Sequence, residues 1–427
     1  MKKITRRSFN TMLGVAGAAT ALGGCAGMLP GSGKGRVVVV GGGFGGATAT
    51  KYIRKMDSEV EVVLIEPKRE FFTCPFSNTV IGGLNEMDYI KQNYDALRDK
   101  WGATVVHDTV TGVDTAKKTV WTETGHTFSY DKLVLSPGID FKWDAVPGYS
   151  EAAAQRAPHA WNGGDQTVLL RDQLRAMRDG GVCIIVSPPN PFRCPPGPYE
   201  RASLIANYFK TWKPKSKVII LDAKPQFSKM PLFQEGWKEL YGTMIEWVGQ
   251  QDGAVATRID VSTMTVHTEF DKFKGDVINF IPHQKAAAIA HAAGVANESG
   301  WCPIDARTFE STLAKDVYVL GDSSIADPMP KSGFSASSQG KTCAIAIVAE
   351  LSGKEPPVPS YINTCYSLVA PGYGISVAAV YGYADGKMHS VKGAGGVSPK
   401  AASAEFRREE ASYAEGWYAS ISSDIWG

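Results

Sequence analysis

The feature that most constrains this chain is a valine run that ends in a glycine loop. Arg36-Val37-Val38-Val39-Val40 reads as a buried strand. Gly41-Gly42-Gly43-Phe44-Gly45-Gly46 follows at once and sets Gly41, Gly43 and Gly46 in the G-x-G-x-x-G spacing. Each glycine has a mechanical reason. Gly41 permits the tight turn out of the strand, Gly43 lets the backbone approach a pyrophosphate, and Gly46 lets the next helix pack against the strand with its N-terminal amides toward the phosphates. The following strand, Glu61-Val62-Val63-Leu64-Ile65, ends in Glu66, 20 residues past Gly46, where an acid grips a ribose hydroxyl. Strand, glycines, helix, strand and acid in that order predict a dinucleotide-binding βαβ unit.

A second strand of the same kind, Val182-Cys183-Ile184-Ile185-Val186, leads into Ser187-Pro188-Pro189-Asn190-Pro191-Phe192-Arg193-Cys194-Pro195-Pro196, which holds no glycine. Prolines bring no backbone amide, and side chains beside them obstruct a pyrophosphate. One dinucleotide is therefore expected, without NADH or NADPH on the second unit.

Either a nicotinamide or a flavin suits the first fingerprint, and two later segments favour the flavin. Tyr130-Asp131-Lys132-Leu133-Val134-Leu135-Ser136-Pro137-Gly138 reads as an apolar strand with a small-residue turn. Val317-Tyr318-Val319-Leu320 ends in Gly321-Asp322. In flavoproteins with two dinucleotide folds, which this order resembles, an aspartate there bonds the ribityl chain. Gly333-Phe334-Ser335-Ala336-Ser337-Ser338-Gln339-Gly340 is then expected to open an apolar helix over Lys341 to Leu351, whose N-terminal amides favour negative charge nearby.

At 427 residues the chain exceeds one core, so two or three domains are expected. The N-terminal Thr5-Arg6-Arg7-Ser8-Phe9 is a twin-arginine pattern, and the apolar stretch behind it, Met12 to Gly24, is too short to span a bilayer. Periplasmic export is expected, either with cleavage or with lipid anchoring at Cys25 in Leu22-Gly23-Gly24-Cys25. The leader's Lys2, Lys3, Arg6 and Arg7 exceed the formal charge of +2, so the remainder is slightly acidic. Nucleic acid and anionic lipid are poor partners for it.

Seven cysteines occur, at 25, 74, 183, 194, 302, 343 and 365, none in C-x-x-C spacing. No zinc site or other metal is expected, and C-x-x-C-H, the c-haem attachment, is absent from the chain. Cys183, Cys302 and Cys343 read as small apolar packing residues. Cys74, Cys194 and Cys365 sit in segments flanked by proline or polar residues. Two of these three are expected to bridge in an oxidising compartment, structurally or as a redox bridge.

Four strings carry a family resemblance. They are Phe72-Thr73-Cys74 with Ser77-Asn78 and Val80-Ile81-Gly82-Gly83; Pro191 through Ser203, which includes Cys194-Pro195-Pro196-Gly197-Pro198-Tyr199-Glu200-Arg201; Pro328-Met329-Pro330-Lys331-Ser332-Gly333; and Asn363-Thr364-Cys365-Tyr366-Ser367. From about Arg36 onward the chain resembles the flavoprotein subunit of flavocytochrome c, the sulfide dehydrogenase of sulfur-oxidising bacteria. Pro75 and Asp327 depart from the family pattern.

The resemblance implies an α/β protein with two Rossmann-like domains, arranged as in glutathione reductase, plus a smaller C-terminal α+β interface domain. It implies FAD, attached through its 8α-methyl to Cys74, and a redox disulfide between Cys194 and Cys365. The leader covers 1–34 and the split flavin domain 35–150 and 275–355. A nicotinamide-type domain that binds no nicotinamide covers 151–274, and the interface region 356–427.

Sulfide is then the expected substrate. It attacks the bridge, leaves as sulfur or polysulfide, and its electrons go to a haem on a separate c-type cytochrome subunit. Glu200 is a candidate proton acceptor or, equally, an exposed acid at a helix start. Arg193 and Arg201 are candidate thiolate partners or surface charges. Two rivals remain, a sulfide:quinone oxidoreductase and a non-catalytic flavin relay. The tail aromatics Phe406, Tyr413, Trp417, Tyr418 and Trp426 stand among Glu405, Glu409, Glu410, Glu415 and Asp424, so they read as packing or a protein contact rather than as a lipid dock.

Overall fold

The computed structural model describes residues 33–427; the twin-arginine segment and Cys25 lie outside the described residues. In chain order the main elements are β1 (Arg36–Val40), α1 (Phe44–Met56), β2 (Glu61–Ile65), β3 (Thr104–Val106), β4 (Lys132–Leu135), β5 (Val182–Ser187), α2 (Gly197–Trp212), β6 (Lys217–Asp222), α3 (Met230–Tyr241), β7 (Ile245–Val248), β8 (Val277–Phe280), β9 (Val317–Val319), α4 (Gly333–Leu351), β10 (Ser360–Ala370), β11 (Tyr373–Ala384) and α5 (Ala404–Trp426).

Two parallel sheets organise them. The first runs β9-β4-β1-β2-β3, and the second β7-β6-β5-β8. Strands covered on both faces carry continuous apolar runs. Accordingly Val37, Val38 and Val39 on the central strand are fully buried. The α/β class with two doubly wound units is as the sequence predicts.

Gly41 has φ +97°, and a side chain on Gly46 would stand 1.9 Å from the Gly41 carbonyl oxygen. The turn and the close helix approach therefore both require glycine.

Two boundaries differ from expectation. β8 pairs with β5 through Cys183↔Val277 to Val186↔Phe280, so the second unit takes its fourth strand from within the 275–355 range assigned to the first. A short apolar strand fits either sheet, and only pairing decides between them. The expected Lys341–Leu351 helix is α4, which begins at Gly333, two turns earlier. Ser332 caps it by accepting the Ser335 amide, which makes the small residues its first turns.

The C-terminal part is an antiparallel hairpin, β10–β11, with α5 laid against it and against α1. Tyr418, Ile421, Ile425 and Trp426 of α5 are buried, at about 2 kcal/mol of apolar burial each. Tyr418 and Trp426 are thus packing residues and Trp417 is partly buried against the core, whereas Phe406 and Tyr413 remain exposed. Among the described residues no helix is long and apolar enough to cross a membrane.

Candidate functional site

One cleft runs from the glycine loop to three cysteines. It is lined by Gly41, Gly43, Glu66, Cys74, Cys194, Glu200, Gly321, Asp322 and Cys365, among others. Gly46 lies beneath the loop, as its packing role requires. All ten residues singled out from the sequence thus meet at this cleft or its floor.

At the glycine end the Gly42 amide donates to Glu66 Oε2 at 2.9 Å, and the Lys68 amide to Glu66 Oε1 at 3.1 Å. A side chain on Gly43 would meet nothing closer than Phe71, at 3.5 Å. Protein packing leaves Gly43 free, as expected where a ligand lies over the loop. Trp426 stacks on Phe71 and donates its indole N–H to the Gly42 carbonyl at 3.3 Å. The tail helix thus props the loop from behind.

In the middle of the cleft Asp322 Oδ1 and Arg193 Nε are shut from solvent with no hydrogen-bond partner. Burial raises the Asp322 carboxyl above its usual range, while Arg193 and Lys331 oppose the shift. Buried polar atoms in native proteins are almost always paired. These two, a donor and an acceptor beside a glycine cradle, fit the polyol and ring edge of a flavin dinucleotide.

The far end holds the three cysteines. Cys74 follows the short strand Glu70–Phe72, and its carbonyl accepts from the Ser77 amide and hydroxyl at 3.0 and 2.7 Å. Cys194 takes a left-handed conformation, φ +58°. Its N–H donates to the Lys331 carbonyl at 2.8 Å and its own carbonyl accepts from the Gly197 N–H at 2.8 Å. A side chain on Gly197 would lie 3.1 Å from the Cys194 sulfur, so the Pro-Pro-Gly sequence leaves room for that thiol. Cys365 projects from β10, with the Asn363 amide nitrogen 3.4 Å from its sulfur.

All six cysteines of the described residues are thiols. The neighbouring Cys194, with Arg193 and Arg201, lowers the Cys74 thiol against the effect of burial. The neighbouring Cys74, together with burial, raises Cys194. Cys183, Cys302 and Cys343 are fully buried, as packing residues should be.

The sequence alternatives for the charged residues are resolved by burial. Glu200, in the first turn of α2, is enclosed rather than exposed. It accepts from Asn78 Nδ2 at 2.8 Å and from the Leu368 amide at 2.8 Å. Burial raises its carboxyl above the ordinary range, against those hydrogen bonds and Lys229. Arg201 is 1% exposed. It donates to Asn78 Oδ1 at 3.0 Å, Asn279 Oδ1 at 2.9 Å and the Ala160 carbonyl at 2.7 Å, and lies over the Trp161 ring.

Sequence reasoning missed Asn78 as the link between Glu200 and Arg201, and Asn363 as the neighbour of Cys365. Asn363 carries a readable signal, since residues two apart on a strand share a face. It missed Lys229 too, which reaches the Cys365 carbonyl and has no such signal.

At the second, glycine-free junction an open pocket remains beside Asn190, Phe192, Pro195 and Lys224, but the polar groups there are bonded to the protein itself. Lys224 donates to Ser187 Oγ at 2.9 Å and to the Pro188 carbonyl at 2.7 Å, pairs with Asp222 Oδ1 at 2.6 Å, and sits 4.6 Å from the centre of the Phe192 ring. Asp222, at the end of β6 where a nucleotide ribose would be gripped, accepts instead from Tyr199 and Trp247 at 2.6 and 3.0 Å. Among the described residues no group of three or more His, Cys, Asp or Glu stands ready for a metal ion.

Three family models match this chain. Residues 167–282 match the central region of the sulfide dehydrogenase [flavocytochrome c] flavoprotein chain, 357–426 the flavin-binding region of flavocytochrome c sulphide dehydrogenase, and 35–170 pyridine nucleotide-disulphide oxidoreductase. A sulfide dehydrogenase [flavocytochrome c] flavoprotein chain from Chlorobaculum thiosulfatiphilum is 67% identical over 45 residues, 10% of this chain and 94% of that one. Mitochondrial sulfide:quinone oxidoreductase of Dictyostelium discoideum is 24% identical over 298 residues, 68% of this chain; the match spans 65% of that protein's length. Among solved structures, the sulfide:quinone oxidoreductase of Aquifex aeolicus superposes with a TM-score of 0.71 over 92% of each chain at 16% identity, a likeness of fold alone.

Proposed function

From the premise that this chain belongs to the family of flavocytochrome c sulfide dehydrogenase flavoprotein chains, we propose that it oxidises sulfide through a Cys194–Cys365 bridge beside a flavin. The observation that carries this reading is the convergence of Cys74, Cys194 and Cys365 on one cleft with the glycine loop.

The cleft is read as an FAD site, with Glu66 toward the ribose, Asp322 toward the polyol, and Cys74 as the thioether attachment. A flavin bound there would supply a two-electron acceptor able to release electrons one at a time, as a haem on a partner chain would need. The bridge does the sulfur chemistry. Hydrosulfide forms a bond to one sulfur, the S–S bond breaks, and the electron pair departs on the other sulfur as thiolate. One cysteine then carries the persulfide, a second hydrosulfide draws its outer sulfur away as polysulfide, and the two cysteine thiolates left behind re-form the bridge by giving up two electrons to the acceptor that a bound flavin would supply. Burial keeps Glu200 basic enough to take the proton of the attacking H–S group. Arg201 is fully bonded, so its part is to hold Asn78, and through it Glu200, in place.

Sulfide should bleach the flavin of the purified protein anaerobically, and turnover should require a c-type cytochrome but no quinone. A flavin that sulfide leaves oxidised would mark a non-catalytic relay. Fast turnover with a short-chain quinone, and none with any cytochrome, would select the quinone enzyme.

NADH and NADPH are expected to leave the flavin oxidised, because Lys224, Phe192 and Asp222 occupy one another where a second dinucleotide would bind. Stoichiometric anaerobic reduction by either nicotinamide would overturn this. The compartment is proposed to be the periplasm, reached by the twin-arginine route, with Cys25 as a lipid anchor if the leader is processed there.

A further inference from the structure

We propose that Lys229 is the counter-cation for negative charge on the Cys365 sulfur, a charge that arises whenever the Cys194–Cys365 bridge opens; this rests on the bridge reading above.

Lys229 caps α3 in the left-handed conformation, φ +61°, uncommon for a residue with a side chain. That turn sends the side chain inward. Lys229 is buried, and its ammonium donates to the Cys365 carbonyl at 2.8 Å, Ser367 Oγ at 2.8 Å and the Ile375 carbonyl at 3.4 Å. All three acceptors are neutral. Among the described residues no carboxylate lies within ion-pair distance of it.

A buried charge without a partner of opposite sign is costly. Lys132, by contrast, pairs with both Asp316 and Glu350. Strand parity names the missing anion. Side chains two apart on β10 share a face, so Asn363, Cys365 and Ser367 project together, and Lys229 is bonded to the last of them while Asn363 flanks the Cys365 sulfur.

The groups that face the ammonium are Cys365 on β10, Glu200 and Cys194 from the α2 side, and Glu410 on α5. Glu200 is occupied by Asn78 and the Leu368 amide. Glu410 is occupied by Ser376 and Ser398 and lies 3.5 Å from Arg407. Burial lowers Lys229 to about 8, with Cys365 the first of the groups that oppose this. The ammonium thus stays mostly charged at neutral pH. Opening then takes up two electrons and one proton, leaving Cys194 a thiol and Cys365 a thiolate.

The test is the opening equilibrium of the bridge in flavin-containing protein. Dithiothreitol buffers set the equilibrium, and alkylation of Cys365 counted by mass reads it. In Lys229→Met, opening should be about tenfold less favourable at pH 7, about 30 mV. The difference should be much smaller at pH 5, because a protonated sulfur would carry no charge for the ammonium to meet, and Lys229→Arg should restore wild-type behaviour. An equal shift at both pH values would mean a merely structural effect and overturn the proposal. Wild-type protein decides if the variant does not fold. Dithiothreitol gives up two protons with its two electrons, so at a fixed dithiothreitol ratio one-proton opening should become about tenfold more favourable per pH unit between pH 6 and 7, about 30 mV; an equilibrium that does not move with pH, the mark of two-proton opening, would overturn it. Oxidised protein with no Cys194–Cys365 bridge would sink both readings, whereas a bridge whose equilibrium with dithiothreitol is flat in pH would sink only this one.

Discussion

Cys194→Ser and Cys365→Ser proteins should each keep their flavin and lose sulfide-driven bleaching, by roughly a thousandfold or more in rate. The reason is chemical. Only a sulfur–sulfur bond offers hydrosulfide an electrophilic sulfur and a thiolate leaving group, and a serine hydroxyl offers neither. Local structure should survive the change. The Cys194 backbone is held by the Lys331 carbonyl and the Gly197 amide, and Cys365 lies within a continuous β10–β11 ladder, so neither anchor depends on sulfur. Dithionite, which needs no bridge, should still reduce both variants and so separates a chemical defect from a folding defect. Anaerobic stopped-flow at the flavin band is the measurement. Either serine variant bleached by sulfide at the wild-type rate would remove the bridge from the reaction.

Cys74→Ser should release nearly all of its flavin into the supernatant on acid precipitation, whereas wild-type protein should release almost none. A thioether survives the acid that unfolds the protein, and non-covalent contacts do not. The loop itself does not hang on the thiol. Ser77 caps the Cys74 carbonyl, and the Thr73 hydroxyl bonds the Pro75 carbonyl and Tyr418, both at 2.8 Å. The variant is therefore expected to fold and to bind flavin reversibly. Its lowered thiol suits Cys74 to act as the nucleophile in that attachment. Flavin freed from wild-type protein by acid alone would refute attachment at Cys74.

The cysteines illustrate how differently the parts of this site could be read. Cys183 and Cys343 sit in apolar runs, and periodicity alone assigns them to the core. Cys74, Cys194 and Cys365 announce themselves only by exclusion and by resemblance to a family. Nothing local says that loops 120 and 171 positions apart converge on one cleft. Glu200 shows the same limit from another side. An acid in the first turn of a helix is ordinary on a surface, and its sequence neighbours are identical whether that helix opens on water or on a cavity. Its enclosure comes from Asn78 and Leu368, which belong to distant segments.

The sequence by itself determined the glycine loop, its strand and its acid, because turn geometry and close helix approach admit few residue types at fixed spacing. It likewise determined that the second junction has no such loop, since prolines lack the amides a phosphate needs. Tertiary structure alone decided that β8 joins the second sheet, that the tail helix props the Gly42 carbonyl through Trp426, and that Lys229 is buried against Cys365. These are long-range pairings. Their energies depend on which surfaces meet, and a residue's sequence neighbours carry no record of the partner it will find across the fold.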